Sequence, residues 1–229
     1  MVIKLLHARK LLVVCLLLII ALGGCATESH RTLQPETVAS ASTNYSGPKY
    51  TLTVAQFQNR STYMQGVFSE DSDKLGNQAK TILKTHLQMT NRFTVVDRQN
   101  LEELAQEAKL RGKKQKIIGA QVAITGDVTE FGRKTVGDRQ LFGILGAGKQ
   151  QISYAKVALN VVDVGTSEII YSVQGAGEYA LSNREVVGFG GTASYDSTLN
   201  GKVLNLAITE AVNNLVAALE RGEWSPTEK

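Results

Sequence analysis

The sequence predicts an α+β fold, because period-two and helical patterns of apolar residues follow one another along a chain of 229 residues. Tyr50, Leu52 and Val54 alternate with threonines, as in a half-buried strand. Alternation recurs further along the chain, and a short Gly-Thr-Ser segment at residues 165–167 turns the last stretch back as a β-hairpin. The predicted strands are Lys49–Phe57, Phe93–Val96, Val122–Phe131, Ser153–Val164 and Glu168–Gln174.

Three amphipathic helices are predicted from apolar residues that recur three and four positions apart. They cover about residues 75–91, 100–111 and 202–221. Gly112 and Gly222 follow the second and third helices as C-terminal stop signals. The patterns together predict a domain in which helices and strands share one core.

The second predicted helix carries an apolar stripe and is followed by a basic cluster. The stripe consists of Leu101, Leu104, Ala105 and Ala108. The cluster consists of Arg111, Lys113, Lys114 and Lys116. We interpret the cluster as a solvated helix end that complements the helix dipole, with a partner-binding patch as the alternative.

The first 25 residues have the features of a bacterial lipoprotein signal. The apolar run Leu11–Leu22 has 12 residues, fewer than the roughly 20 that a membrane-spanning helix needs, and positive charges precede it. The run ends in the lipobox pattern Leu22-Gly23-Gly24-Cys25. The pattern predicts a signal peptide over residues 1–24 and a diacylglycerol and an N-acyl chain, such as palmitate, on Cys25. An ordinary secretory signal or an uncleaved anchor is the alternative.

The predicted mature chain is nearly neutral. Three of the 25 Lys and Arg residues and no acidic residue lie in the signal, which leaves 22 basic against 21 acidic residues. A nearly neutral chain has no excess of positive charge that would attract nucleic acid, so the composition does not favour nucleic acid binding. Cys25 is the one cysteine of the mature chain, so no intramolecular disulfide is expected. Ala26 follows it where an aspartate would favour the inner membrane, which points to the periplasmic face of the outer membrane.

A flexible, lipid-anchored tether is predicted over residues 25–48. This stretch is rich in Ser, Thr, Ala and Asn, has only scattered apolar residues, and contains Pro35 and the breaker Gly47-Pro48. The folded domain is expected over residues 49–224, with a short tail at residues 225–229.

Two segments, at about residues 129–153 and 175–199, are longer than a compact domain needs. Each has room for two strands of about ten residues, the length of a tilted strand that crosses a bilayer. In the second segment one face is small and polar, and the other is largely apolar, which predicts a lipid-facing set of Val187, Phe189, Gly191, Ala193 and Tyr195. Exposed soluble hairpins or flexible loops are the alternative.

The chain resembles the curli production assembly/transport component lipoprotein family between about Tyr50 and Trp224. The resemblance rests on the order of the lipobox, the tether and the first strand, and on the stretches Asp97–Leu104, Val157–Ile169 and Glu220–Trp224. It implies a periplasmic three-layer α/β domain like anticodon-binding and TolB N-terminal modules. It further implies a homo-oligomeric ring in which each subunit adds two hairpins to one transmembrane β-barrel.

The same resemblance implies a channel constriction formed by the loop after the first strand. In this chain the loop covers about residues 58–72, and its candidate constriction residues are Asn59, Tyr63, Met64 and Phe68. The alternative is a solvated connector whose aromatic side chains pack on the domain. The long C-terminal extension of the curli channels is expected to be missing, because the sequence ends at Lys229.

No catalytic, cofactor or metal site is predicted. The mature chain has His30 in the tether and His86 on a helix face, where a structural role is expected, and it has no metal-spaced His and Cys cluster. The resemblance implies a non-enzymatic outer-membrane lipoprotein that exports unfolded fibre or surface subunits by diffusion. Its expected partners are its own copies, membrane lipid, the exported polypeptide and accessory envelope proteins. A lipid-anchored periplasmic scaffold without a pore is the alternative.

Overall fold

A five-stranded sheet with two helices packed on it forms the described part of the chain. The computed structural model describes residues 36–63, 73–139, 147–185 and 199–226. The strands are β1 (Tyr50–Asn59), β2 (Phe93–Val95), β3 (Val122–Arg139), β4 (Ala147–Asp163) and β5 (Ile169–Glu185). The helices are α1 (Lys74–Met89), α2 (Leu101–Leu110) and α3 (Leu199–Glu220). The predicted α+β fold class is therefore confirmed.

The sheet has the strand order β2-β1-β3-β4-β5 and is mixed. Strand β1 pairs in parallel with β2 and β3, whereas β4 is antiparallel to both β3 and β5. The β4–β5 turn is held by Asp163, whose Oδ1 accepts from the backbone N–H groups of Gly165 and Thr166. The short loop predicted at this point therefore forms the expected hairpin.

The core lies between one face of the sheet and helices α1 and α3. Alternate residues face the helices and are buried from Leu52 to Val54 in β1, from Val122 to Val128 in β3 and from Ser153 to Asp163 in β4, as the period-two pattern predicts. Register shifts after Val54 and Val128 interrupt the alternation, which resumes with the buried Phe57 and Phe131. Helix α3 packs very closely on β5, because a Cβ at Gly177 would lie 2.8 Å from both the Ala207 nitrogen and the Val203 carbonyl oxygen. The largest buried side chains include Leu52, Ile124, Leu159, Leu83, Phe93, Leu204, Ile208 and Leu215.

Helix α2 differs from the other helices because none of its residues is buried. Leu104 on its apolar stripe is 46% exposed, and Leu110 is 80% exposed. The expected three-layer arrangement therefore differs from the described structure, in which one helical layer of α1 and α3 packs on the sheet. Helix α2 is only 10 residues long and half polar or charged, so its stripe offers little area to bury.

The described part of the predicted tether, residues 36–48, packs on the domain. Val38 is buried, and the Ala39 N–H donates to Asn213 Oδ1 of α3 at 2.9 Å. Further along, the Arg92 guanidinium donates to the Ser40 carbonyl oxygen and to Thr43 Oγ1, and it lies 4.6 Å from the centre of the Tyr45 ring. The structure therefore does not show a flexible tether over residues 36–48. The buried Val38 and the contacts with α3 and Arg92 hold these residues on the domain.

The first predicted hairpin is formed by the far halves of β3 and β4, which stay paired to Arg139↔Ala147. The first arm of the second segment belongs to β5, which pairs with β4 as far as Ala147↔Glu185. The return arm at residues 186–198 lies outside the described residues.

Candidate functional site

Two of the ten predicted site residues fall in the part of the chain that the structure describes. Asn59 is the last residue of β1, and Tyr63 lies four residues later in a tight turn. Outside the described residues lie Cys25, Met64, Phe68 and the candidate lipid-facing set Val187, Phe189, Gly191, Ala193 and Tyr195.

Asn59 organises the start of the loop that follows β1. Its Nδ2 donates to the Tyr63 carbonyl oxygen at 2.9 Å, and its Oδ1 accepts from the Ser61 N–H at 3.0 Å and from Ser61 Oγ at 2.6 Å. The side chain thus closes a compact turn, which is a common role of asparagine next to a strand end.

The backbone of Asn59 also fixes the far end of the same loop. Its N–H donates to Asp73 Oδ2 at 2.6 Å. Asp73 is the N-cap of α1, and its Oδ1 accepts from the Gly76 N–H at 2.8 Å. The Asp73 carboxylate therefore holds the residues on either side of the loop at residues 60–72 together at the end of β1.

Tyr63 joins this turn to the base of the β3–β4 hairpin and to the first turn of α3. Its ring centre lies 4.7 Å from that of Phe131 in β3, with the planes tilted by 47°. The Tyr63 hydroxyl accepts from Asn200 Nδ2 at 3.2 Å. Asn200 Oδ1 in turn accepts from Arg133 Nε at 2.9 Å. We refer to Asn59, Tyr63, Phe131, Arg133 and Asn200 as the arm-base cluster.

The sequence alone predicts a functional role only for Asn59 and Tyr63 of this cluster. Phe131 ends a predicted strand and Arg133 lies in the first predicted hairpin segment, whereas no role is predicted for Asn200. The missing signal is a long-range one, since Asn200 is separated from Tyr63 by 137 positions. The packing of Tyr63 on Phe131 is the placement that the alternative interpretation of the loop expects. The constriction role concerns an assembly of chains and stays a prediction.

Two further polar side chains, those of His86 and Asp97, have structural partners. His86 is buried between α1 and α3, where its Nε2 lies 2.8 Å from Asn205 Oδ1. Lys84 Nζ donates to Asp97 Oδ1 at 2.8 Å, and this hydrogen bond lowers the pKa of Asp97 to about 2. Within the ranges that the structure describes, no three His, Cys, Asp or Glu residues lie close enough to hold a metal ion. No helix in the same ranges is both long enough and apolar enough to cross a membrane.

Comparison with solved structures finds two bacterial proteins among those similar to this chain. The dodecameric PelC of Paraburkholderia phytofirmans covers 80% of this chain and 95% of its own, with 13% identity and a TM-score of 0.35. The lipoprotein GNA1162 of Neisseria meningitidis covers 74% of this chain and 99% of its own, with 16% identity and a TM-score of 0.33. TM-scores this low do not establish a shared fold.

Comparison of the sequence with known proteins and families shows the family of the chain. A candidate lipoprotein of Neisseria meningitidis serogroup B, NMB1126/NMB1164, is 62% identical over 207 residues, which are 90% of this chain and 93% of the relative. The model of the family described as curli production assembly/transport component CsgG matches residues 36–228, which include every described strand and helix. The chain belongs to this family.

Proposed function

We propose that the protein is an outer-membrane lipoprotein that assembles into a homo-oligomeric ring and forms a channel for unfolded polypeptide. The exported chains would be fibre or surface subunits that cross by diffusion, without catalysis and without a cofactor. The observation that carries this proposal is the length of three paired strands in a chain of the CsgG family.

The strands β3, β4 and β5 extend beyond what the packed core needs. Among the β3 side chains that the structure describes, which end at Lys134, the last apolar one buried in the core is that of Phe131, yet the strand continues to Arg139 and remains paired with β4. The stretch from Phe131 to Arg139 has nine residues, which matches the roughly nine to eleven of a tilted strand that crosses a bilayer. We therefore propose that the far ends of these strands are transmembrane strands of a barrel that the subunits share.

The arm-base cluster supports a constriction next to the barrel. Tyr63 holds the start of the loop at residues 60–72 against Phe131, where the extended arms leave the domain. In a ring, one such loop from each subunit would lie at the same height below the barrel. Met64 and Phe68 follow Tyr63 by one and five positions and would supply apolar, uncharged groups that pass an unfolded chain and exclude a folded one.

The lipid on Cys25 would act as an assembly device. Residues 36–48 pack on the domain, so about ten residues of sequence separate Cys25 from the packed part of the chain. A chain of this length spans at most about 35 Å. Anchored subunits share one plane at a raised effective concentration, which favours ring formation.

Electron microscopy of full-length protein extracted in detergent tests the proposal. Rings with a central hole, together with stepwise conductance in planar bilayers, are expected. Rings without conductance, or monomers alone, would instead favour the lipid-anchored scaffold, for which the packed position of Tyr63 already offers a rationale. A Cys25→Ser variant, which should not incorporate labelled palmitate, separates the role of the lipid from that of the arms.

A further inference from the structure

Residues 111–120, between α2 and β3, form an exposed segment that we call the basic segment. Residues 113–120 of this segment belong to no helix or strand. All ten residues are exposed except Gln115 and Ala120, which are partly buried. The segment has no acidic residue, and its cations are Arg111, Lys113, Lys114 and Lys116.

The backbone of the basic segment is largely unpaired within the described structure. None of the backbone N–H groups of residues 114–120 donates a hydrogen bond to another described residue. The Ile118 carbonyl oxygen accepts from Arg98 Nη2 at 2.5 Å, and the Gln121 N–H donates to the Thr51 carbonyl oxygen at 2.8 Å. These two contacts hold the end of the segment. Exposed backbone with open hydrogen-bonding groups can pair with another extended chain.

The cations of the basic segment form no ion pair with any described residue. This includes Glu107 on α2 and Glu168 in the β4–β5 turn. Arg111 is the C-cap of α2, where its charge complements the helix dipole. The three lysines lie beyond the helix end, so the dipole does not account for them. Their charges are open to an acidic partner.

Exposed aliphatic side chains accompany these cations. Ile117 and Ile118 are 57% and 56% exposed, and Leu110 at the end of α2 is 80% exposed. Exposed apolar groups bordered by charged ones are typical of surfaces that another chain covers. A partner that matches the lysines, the isoleucines and the open backbone is an extended polypeptide with acidic and aliphatic side chains.

The basic segment enters the sheet at the end that lies away from the hairpin arms. The carbonyl oxygen of Gln121, the residue after the segment, accepts from the Val164 N–H of the β4–β5 turn at 3.1 Å. The arms end at Arg139 and Ala147, at the other end of the same strands. Strand β3 has 18 residues and rises about 3.3 Å per residue, so it spans about 55 Å. In the proposed ring, where the arms enter the membrane, the basic segment therefore lies on the periplasmic side.

We propose that the basic segment captures the polypeptide that is to be exported, and that this polypeptide is acidic. The inference rests on the proposed function and names its substrate class, an unfolded chain in which acidic and aliphatic side chains alternate. Its main chain pairs with residues 114–120, its carboxylates pair with the three lysines, and its aliphatic side chains cover Ile117 and Ile118. One segment on every subunit raises the concentration of such chains at the channel entrance.

Fluorescence anisotropy of a labelled peptide tests the capture site in full-length, detergent-extracted protein. The probe has about 12 residues in which Glu and Val alternate, and a peptide of alternating Lys and Val is its control. We expect the Glu-Val peptide to bind and the Lys-Val peptide not to bind. A chain that carries Lys113→Glu, Lys114→Glu and Lys116→Glu should bind the probe about 30-fold more weakly, because three weak attractions become repulsions.

A matched variant controls for net charge. Lys49→Glu, Lys74→Glu and Lys80→Glu, combined in one chain, make the same change of charge at other sites and should leave probe binding unaltered. Circular dichroism checks that both variants keep the fold. Equal weakening in the two variants would show that the probe senses only overall charge, and it would overturn the proposal.

Hydrogen exchange distinguishes main-chain pairing from diffuse charge attraction. The amides of residues 114–120 should exchange about 10-fold more slowly when the Glu-Val peptide is bound, whereas those of α2 should not change. Binding without this protection would overturn the proposal. Protection by micelles that contain phosphatidylglycerol, and not by the peptide, would also overturn it and assign the segment to a lipid surface.

Ring formation and conductance separate this inference from the proposed function. A protein that forms conducting rings but does not bind the Glu-Val peptide would overturn the capture site and leave the channel standing. Peptide binding by a protein that forms no rings and does not conduct would overturn the channel. The captured chain could then not be an exported one.

Discussion

The Tyr63 ring packs at 4.7 Å on the Phe131 ring and places the start of the loop after β1 at the base of the long hairpin. One strand end, one hairpin and the first turn of α3 therefore meet at a single tyrosine. A shift of the hairpin in an assembly would be transmitted to this loop through direct contact. The relationship fixes the position of Tyr63, at the start of that loop, before any other subunit is present.

Loss of the Tyr63 ring should destabilise the domain. We expect Tyr63→Ala to lower the free energy of unfolding by about 2 to 3 kcal/mol, because a partly buried aromatic ring and its contact with Phe131 are removed. Tyr63→Phe keeps the ring and loses only the hydrogen bond from Asn200, so it should cost about 1 kcal/mol or less. Urea denaturation measures both values. Equal effects of the two variants would show that the ring contact contributes nothing.

Arg92 should control whether residues 36–48 stay packed on the domain. Its guanidinium is 4% exposed and donates to Glu220 Oε1, to the Ser40 and Thr90 carbonyl oxygens and to Thr43 Oγ1. Lysine cannot satisfy this planar set of acceptors, so Arg92→Lys should cost about 2 to 3 kcal/mol.

Hydrogen exchange shows which residues lose stability in the Arg92→Lys variant. Amides at residues 39–45 should exchange faster in the variant, whereas those of β3 and β4 should keep their protection. Glu220→Gln serves as a control, because it retains an acceptor oxygen for Arg92 and leaves the contacts to residues 40–43 in place. Unchanged exchange at residues 39–45 in Arg92→Lys would mean that these residues are held without Arg92.

The main strands and helices were predictable because local pattern and final burial agree. Leu52, Val54 and Ile124 alternate along their strands, and the same side chains are buried in the core. Helix α3 likewise buries the stripe that contains Leu204, Ile208 and Leu215.

The arm-base cluster and the packed tether were not predictable from local pattern. Tyr63 and Asn200, or Ser40 and Arg92, are brought together only when the whole sheet has formed, and no local periodicity marks these pairs. Helix α2 shows the reverse case. Its stripe of leucines and alanines has helical spacing, yet the described domain provides no surface that buries it.

Acid should weaken the contact between α1 and the segment that precedes α2. The hydrogen bond from Lys84 lowers the pKa of Asp97 from 3.8 to about 2. Because the folded pKa lies below the unfolded one, this contribution to stability is fully present above about pH 4 and is lost as the pH falls towards 2. Urea denaturation of the unaltered protein and Asp97→Asn should differ at pH 6 and converge near pH 2. A difference that persists at pH 2 would contradict the assignment.

Close packing of α3 on β5 makes Gly177 sensitive to the addition of one methyl group. A Cβ at this position would lie 2.7 Å from Leu206 Cβ and 2.8 Å from the Ala207 nitrogen, and backbone atoms cannot move aside easily. We expect Gly177→Ala to destabilise the domain by about 1 to 3 kcal/mol. Gly119→Ala is the matched control, because nothing lies within 4 Å of its Cβ position, and it should be neutral or slightly stabilising. Equal melting temperatures for the two variants would refute the close packing.

The second hairpin segment supplies the most direct test of membrane insertion. Arginine at Phe189 or Ala193, on the predicted lipid-facing side, should each cost about 2 to 4 kcal/mol near the bilayer centre and abolish membrane assembly. Arginine at Thr192 or Ser194, on the predicted water-facing side of the same strand, should allow assembly. Conductance in planar bilayers and circular dichroism of the folded domain distinguish loss of insertion from loss of folding. Normal ring assembly and insertion of the Phe189→Arg and Ala193→Arg variants would exclude this segment from the barrel and favour a scaffold held by lipid alone.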